Sequence, residues 1–93
     1  MLEKAVERKL RQAVLKRGGL CWKFVSPGTN GVPDRIIMLD GGICAFVETK
    51  APGKKMRALQ VKRKKQLETL GFKVYCLDGI EQIGGMLDEI EKG

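Results

Sequence analysis

The stretch Asp34-Arg-Ile-Ile-Met-Leu-Asp-Gly-Gly-Ile-Cys-Ala-Phe-Val-Glu-Thr-Lys50 decides how this chain folds. Asp34 to Asp40 reads as a strand, Gly41-Gly42 as a tight hairpin turn, and Ile43 to Lys50 as the returning strand. Side chains alternate between the two faces of a strand, so Glu48 and Lys50 share one face and Thr49 takes the other. Folding the hairpin back brings Asp34, at the start of one strand, beside Glu48 and Lys50 at the end of the next. Two carboxylates and a lysine therefore converge at one edge of an otherwise apolar sheet.

Upstream, the loop from Ser26 to Pro33 holds two Gly, two Pro and an Asn in eight residues, and Leu20 to Val25 reads as an earlier strand. Residues 2–17 carry Val6, Leu10, Ala13 and Val14 at spacings of three and four, which predicts a helix stopped by Gly18-Gly19. Downstream, Ala51-Pro52-Gly53 breaks the returning strand. A basic helix is predicted over 57–70 and ends at Gly71. Phe72 to Leu77 forms a fourth strand, and an amphipathic helix covers about 80–91. The order is α-β-β-β-α-β-α over one domain, residues 1–93. A helix separates the third and fourth strands, so these should run parallel through a crossover. The expected class is α/β, a mixed sheet flanked by helices.

At 93 residues and 43% hydrophobic composition the chain supports one thin core, which pairing with a second copy would help to stabilise. Lys and Arg number 18 against 11 acids, a net charge of +7 that favours polyanions, nucleic acid first. The charge is segregated. Residues 50–65 hold eight basic side chains and no acid, while residues 78–93 hold five acids and one Lys. Cys21, Cys44 and Cys76 are odd in number and widely spaced among apolar neighbours, as expected for buried free thiols in a reducing cytoplasm. No apolar run is long enough for a membrane span, and the charged opening residues do not read as a signal peptide.

The chain contains no histidine. Zinc sites of the Cys/His type, Ser-His-Asp hydrolases and Cys-His proteases each lose a required residue. Any catalysis must come from carboxylates, lysines and a hard cation. Neighbouring carboxylates repel one another, and a divalent ion relieves that repulsion. Their oxygen ligands suit Mg²⁺ or Mn²⁺, which activates water and neutralises charge on a phosphodiester. Lys50 would stabilise the attacking hydroxide or assist its formation.

Three segments, Ser26-Pro-Gly-Thr-Asn-Gly-Val-Pro-Asp34, Val47-Glu-Thr-Lys-Ala-Pro-Gly-Lys54 and Leu59-Gln60, resemble the VRR-NUC family of virus-type replication-repair nucleases within the PD-(D/E)xK superfamily. The resemblance covers nearly the whole chain and implies a restriction-endonuclease-like fold. It further implies that Asp34, Glu48 and the backbone carbonyl of Thr49 ligate the metal and that Lys50 is the catalytic lysine. The family places a glutamate on its first helix eleven residues before the Gly-Gly pair. That position is Glu7, which the resemblance makes a further catalytic metal ligand, with Glu3 as the competitor one turn earlier. Gln60 matches a family glutamine whose amide would hold the lysine, a metal-bound water or a phosphate. Small standalone members resemble Holliday-junction resolvases and act as homodimers, which implies branched or duplex DNA as substrate and the cytoplasm of a bacterium or phage-infected host as location.

Ser26, Gly28 and Gly31 are placed to bring backbone N–H groups near a phosphate. Lys54, Lys55, Arg57, Lys62, Arg63, Lys64 and Lys65 are expected to contact phosphates without reading bases. Trp22 and Phe24 lie on one strand, and core packing is expected for at least one of them. The reading is a Mg²⁺- or Mn²⁺-dependent DNA endonuclease leaving 5′-phosphate and 3′-hydroxyl ends. The first or last helix, with a sheet edge, is expected to form its dimer patch. The alternatives are a catalytically silent DNA-binding module and a sequence-specific restriction-type nuclease, for which little chain remains.

Overall fold

The computed structural model describes residues 2–93. Helix α1 spans Glu3–Lys16, followed by strands β1 (Leu20–Lys23), β2 (Arg35–Leu39) and β3 (Ile43–Thr49). Helix α2 (Ala58–Thr69), strand β4 (Lys73–Leu77) and helix α3 (Ile83–Glu91) complete the chain. A short 3₁₀ turn, Ile80–Gln82, opens the last helical segment that the sequence predicts as one helix. Such turns are common at helix starts, where the first N–H groups have no partner within the helix.

The sheet order is β1-β2-β3-β4, antiparallel at the first two pairings and parallel between β3 and β4, as the crossover requires. Gly41 and Gly42 take φ of 86° and 76° at the hairpin, a left-handed geometry that side-chain-bearing residues resist. Asp40 helps to close this turn, its carboxylate accepting from the Gly41 N–H at 3.1 Å.

Alternation assigns the two faces of the sheet. Cys21, Ile37, Leu39, Ala45, Val47 and Leu77 point to one side. There they pack against Val6, Leu10 and Val14 of α1 and Ile83, Met86, Leu87 and Ile90 of α3. Burying a side chain of this size contributes about 1.5–3 kcal/mol, so these contacts hold the fold together. The opposite face carries Trp22, Ile36, Phe46 and Val74 in one cross-strand row. Phe46 packs between Phe24 and Phe72, tilted against the first and edge-on to the second, with ring centroids 5.5 and 5.7 Å away. Phe24 thus has the packing role expected on this strand, whereas Trp22 is 58% exposed.

Helix α2 lies against β4 and contributes no buried residue. Its side chains are mixed around the helix without an apolar stripe, so the hydrophobic effect does little to seat it. The cysteines are free, but only Cys21 is buried; Cys44 is half-buried and Cys76 exposed. Tyr75 and Leu77, the apolar neighbours that suggested burial for Cys76, alternate to the other face of β4. No helix among the described residues is long and apolar enough to cross a membrane.

Candidate active site

Asp34 leaves the loop just before β2, anchored by the buried Pro33. The Phe24 N–H donates to the Asp34 carbonyl at 2.7 Å, so the β1–β2 ladder reaches this residue. One carboxylate oxygen, Oδ2, accepts from the Thr49 N–H at 3.0 Å and from the Thr49 hydroxyl at 2.9 Å. The end of β3 therefore fixes the aspartate one strand away, as the hairpin predicts. Thr49 is itself buried.

Glu48 is 1% exposed, rare for a carboxylate. Oε2 accepts from the Gln60 side-chain amide at 2.7 Å and lies 3.4 Å from the Lys50 ammonium. Oε1 is buried with no hydrogen-bond partner. Burial first, then the charge of Asp34, pushes the Glu48 carboxyl up from 4.5 to about 7, with Lys50 opposing the rise and Glu3 adding slightly to it. Leaving a buried acceptor unpaired costs about 1–3 kcal/mol, more for a charged group. A cation offsets that cost, and a carboxylate oxygen without a donor beside a second carboxylate is chemistry that fits a hard divalent ion.

Gln60 acts differently from the expectation of holding lysine, water or phosphate. Its Oε1 accepts from the Arg57 N–H at 2.8 Å, capping the start of α2, while its amide nitrogen holds Glu48. One side chain thus joins the basic helix to the central carboxylate.

No family model matches the sequence. A phage protein named "Putative nuclease p44", from Acyrthosiphon pisum secondary endosymbiont phage 1, is 46% identical over 76 residues, covering 82% of each chain. A solved structure described as a VRR_NUC domain superimposes with a TM-score of 0.86, covering 92% of this chain and 94% of that one at 24% identity. The chain belongs to the VRR-NUC family of nucleases.

On this VRR-NUC frame the first helix departs from the expected assignment. Glu7 does point inward, but it is ion-paired to Arg35 at 2.8 Å, and Arg35 also donates to the Cys21 carbonyl at 3.2 Å. The side chains of Arg35 and Glu7 are 11% and 20% exposed, so the pair is largely sheltered. A carboxylate already paired with a sheltered guanidinium has less to offer a metal ion than one without a partner. Glu3, one turn earlier, lines with Glu7 the cleft that holds Asp34, but unlike Glu7 it makes no ion pair among the described residues. Counting back from Gly18-Gly19 could not separate the two, because positions one turn apart share a helix face. The signal lay in Arg35, whose charge needs a partner beside it. Among the described residues no three acidic or cysteine side chains gather closely enough to form a metal cage by themselves. Asp34 and Glu48 are the two carboxylates that Thr49 and Gln60 hold at this end of the sheet.

The basic segment divides in two. Lys54, Lys55, Lys62 and Lys65 are exposed, as phosphate contacts require. Arg63 and Lys64 are half-buried and engaged. Arg63 donates to the Asn30 carbonyl at 2.8 Å and to Gln66 at 3.0 Å, and Lys64 pairs with Glu68 at 2.8 Å. Arg57 is exposed at the start of α2. In the preceding loop, Ser26 accepts the Thr29 N–H at 3.1 Å in a turn, and Gly28 is open to solvent. Gly31, with φ of 84°, sits so close to Leu59 that a Cβ there would meet its side chain at 2.7 Å. Its absent side chain makes room for Leu59 where the loop packs on the helix.

Proposed function

We propose that this VRR-NUC chain is a divalent-metal-dependent deoxyribonuclease of the PD-(D/E)xK type acting on branched DNA. The observation that carries this reading is the partnerless buried oxygen of Glu48 beside Asp34. Asp34, Glu48 and the Thr49 backbone carbonyl would hold Mg²⁺ or Mn²⁺, with Glu3 replacing Glu7 as the carboxylate from α1. A bound ion supplies an activated water and neutralises charge on the phosphodiester.

The chain's own residues do the remainder. Thr49 orients Asp34 through two donors, and Gln60 fixes one oxygen of Glu48 so that the other stays free. Lys50, 13% exposed and close to Glu48, is placed to stabilise negative charge on an attacking hydroxide. Exposed Lys54, Lys55, Lys62 and Lys65 attract the backbone without reading sequence.

Two opposed cuts in a four-way junction need two sites, so we infer a homodimer. The sequence favoured α1 or α3 with a sheet edge as the patch; both helices spend their apolar faces in the core, which leaves edge strand β1. Leu20 and Trp22 on the other face of the sheet remain exposed, and this second face is the better support for a dimer contact.

A cleavage series with a four-way junction, a flap, a splayed arm and linear duplex in Mn²⁺ or EDTA tests the reading. Paired nicking of the junction that disappears in EDTA is expected. Robust cleavage in EDTA would overturn the metal mechanism, and equal rates on all four substrates the branch selectivity.

A further inference from the structure

Arg63 stands within the basic run yet is turned away from it. Its guanidinium is spent on the Asn30 carbonyl and on Gln66, whereas Lys62 and Lys65 line the outward groove of α2. Leu59 and Arg63 lie four residues apart, on one face of the helix. Both touch the same piece of loop: Arg63 at Asn30 and Leu59 at Gly31. Three residues further along that loop is Asp34, and Gln60 beside Leu59 holds Glu48. One turn of α2 therefore reaches both carboxylate-bearing segments, while the helix buries no residue of its own.

We propose that Arg63 is a positioning residue for Asp34. With Leu59, it clasps the loop at Asn30–Gly31 to α2 and so holds the two carboxylates at a fixed spacing. It does not contact DNA phosphate. The inference rests on the metal-nuclease reading above. Its physical basis is that α2 has polar ties and one close contact in place of a buried apolar stripe. Removing a tie lets the loop drift from the helix, and Asp34 with it. The backbone at Gly31 adds to the fit, because any side chain there would both collide with Leu59 and strain a left-handed φ.

The test measures Mn²⁺ affinity by calorimetry and the salt dependence of DNA binding, on wild type, Arg63→Ala, Leu59→Ala and Lys62→Ala, with circular dichroism to establish folding. Arg63→Ala is expected to weaken Mn²⁺ binding by about tenfold or more, the scale seen when groups that orient metal ligands are removed. Its salt slope should match wild type, since a phosphate contact would contribute roughly one to that slope. Leu59→Ala, which changes no charge, should repeat this pattern and serves if Arg63→Ala does not fold. Lys62→Ala should do the reverse, losing about one from the slope while binding Mn²⁺ normally. Unchanged Mn²⁺ affinity in both clasp variants, or a slope lowered by about one in Arg63→Ala, overturns the proposal and leaves the nuclease reading standing. Wild type that binds no Mn²⁺ overturns both.

Discussion

Glu48→Gln keeps the size of a buried side chain and removes its charge. In the metal-free protein the Glu48 carboxyl lies at about 7 instead of 4.5, chiefly through burial. An acid raised in this way holds its proton in the fold after the unfolded chain has released it. Stability therefore falls as pH climbs through the window from 4.5 to about 7, and the penalty is full above it. At about 1.4 kcal/mol per pH unit, the full penalty is about 3 kcal/mol, and at about pH 5 it is under about 1 kcal/mol. Glutamine does not titrate. Relative to wild type, Glu48→Gln should thus gain about 2 kcal/mol in EDTA on going from about pH 5 to about pH 8, whatever its fixed packing cost. Urea denaturation of both proteins at the two pH values reads this directly. Saturating Mn²⁺ should then favour wild type, by about 2.7 kcal/mol at a hundredfold excess over Kd, with little effect on the variant. A stability difference that is the same at both pH values, or equal stabilisation of the two proteins by Mn²⁺, would refute the buried, unpaired carboxylate as the origin of metal affinity.

Glu3→Gln should lower cleavage by about tenfold or more with stability unchanged, on the scale of a lost charge-stabilising group. Glu7→Gln should instead destabilise the fold by about 1–2 kcal/mol by weakening the tie on the sheltered Arg35 guanidinium, and the reverse ranking in kinetics and urea melts would restore Glu7 as the ligand. Neutralising Lys54 and Lys62 together should lower the salt slope of DNA binding by about two, as measured by fluorescence anisotropy; an unchanged slope places the DNA on another face. Sedimentation equilibrium should return about twice the 10.3 kDa chain mass. Trp22→Lys should return the chain mass itself, and a dimer that survives this change puts the contact elsewhere.

The hairpin and its consequences were legible in the sequence because they depend on short-range rules. Strand alternation, two glycines able to take positive φ and a helix between β3 and β4 are enough to bring Asp34 to Thr49 and to make the last pairing parallel. The absence of histidine narrowed the chemistry in the same direct way. Where one-dimensional reading failed, the alternatives were equivalent along the chain and differed only across it. Cys76 looked like Cys21 by its neighbours, but only Cys21 faces the core packed by α1 and α3. Arg63 and Lys64 looked like Lys62 and Lys65, but helical rotation turns Arg63 to the loop and Lys64 to Glu68.

The sequence by itself determined the order of elements, the sheet that they build and the meeting of Asp34, Glu48 and Lys50, since local backbone preference and side-chain period set all three. Only the tertiary structure decided that Glu7 pairs with Arg35, that Gln60 grips Glu48, and that Arg63 grips the loop. Those outcomes turn on which charged groups find partners on other elements. A sheltered guanidinium takes the nearest carboxylate at its own level in the fold, a choice that spacing along the chain does not encode.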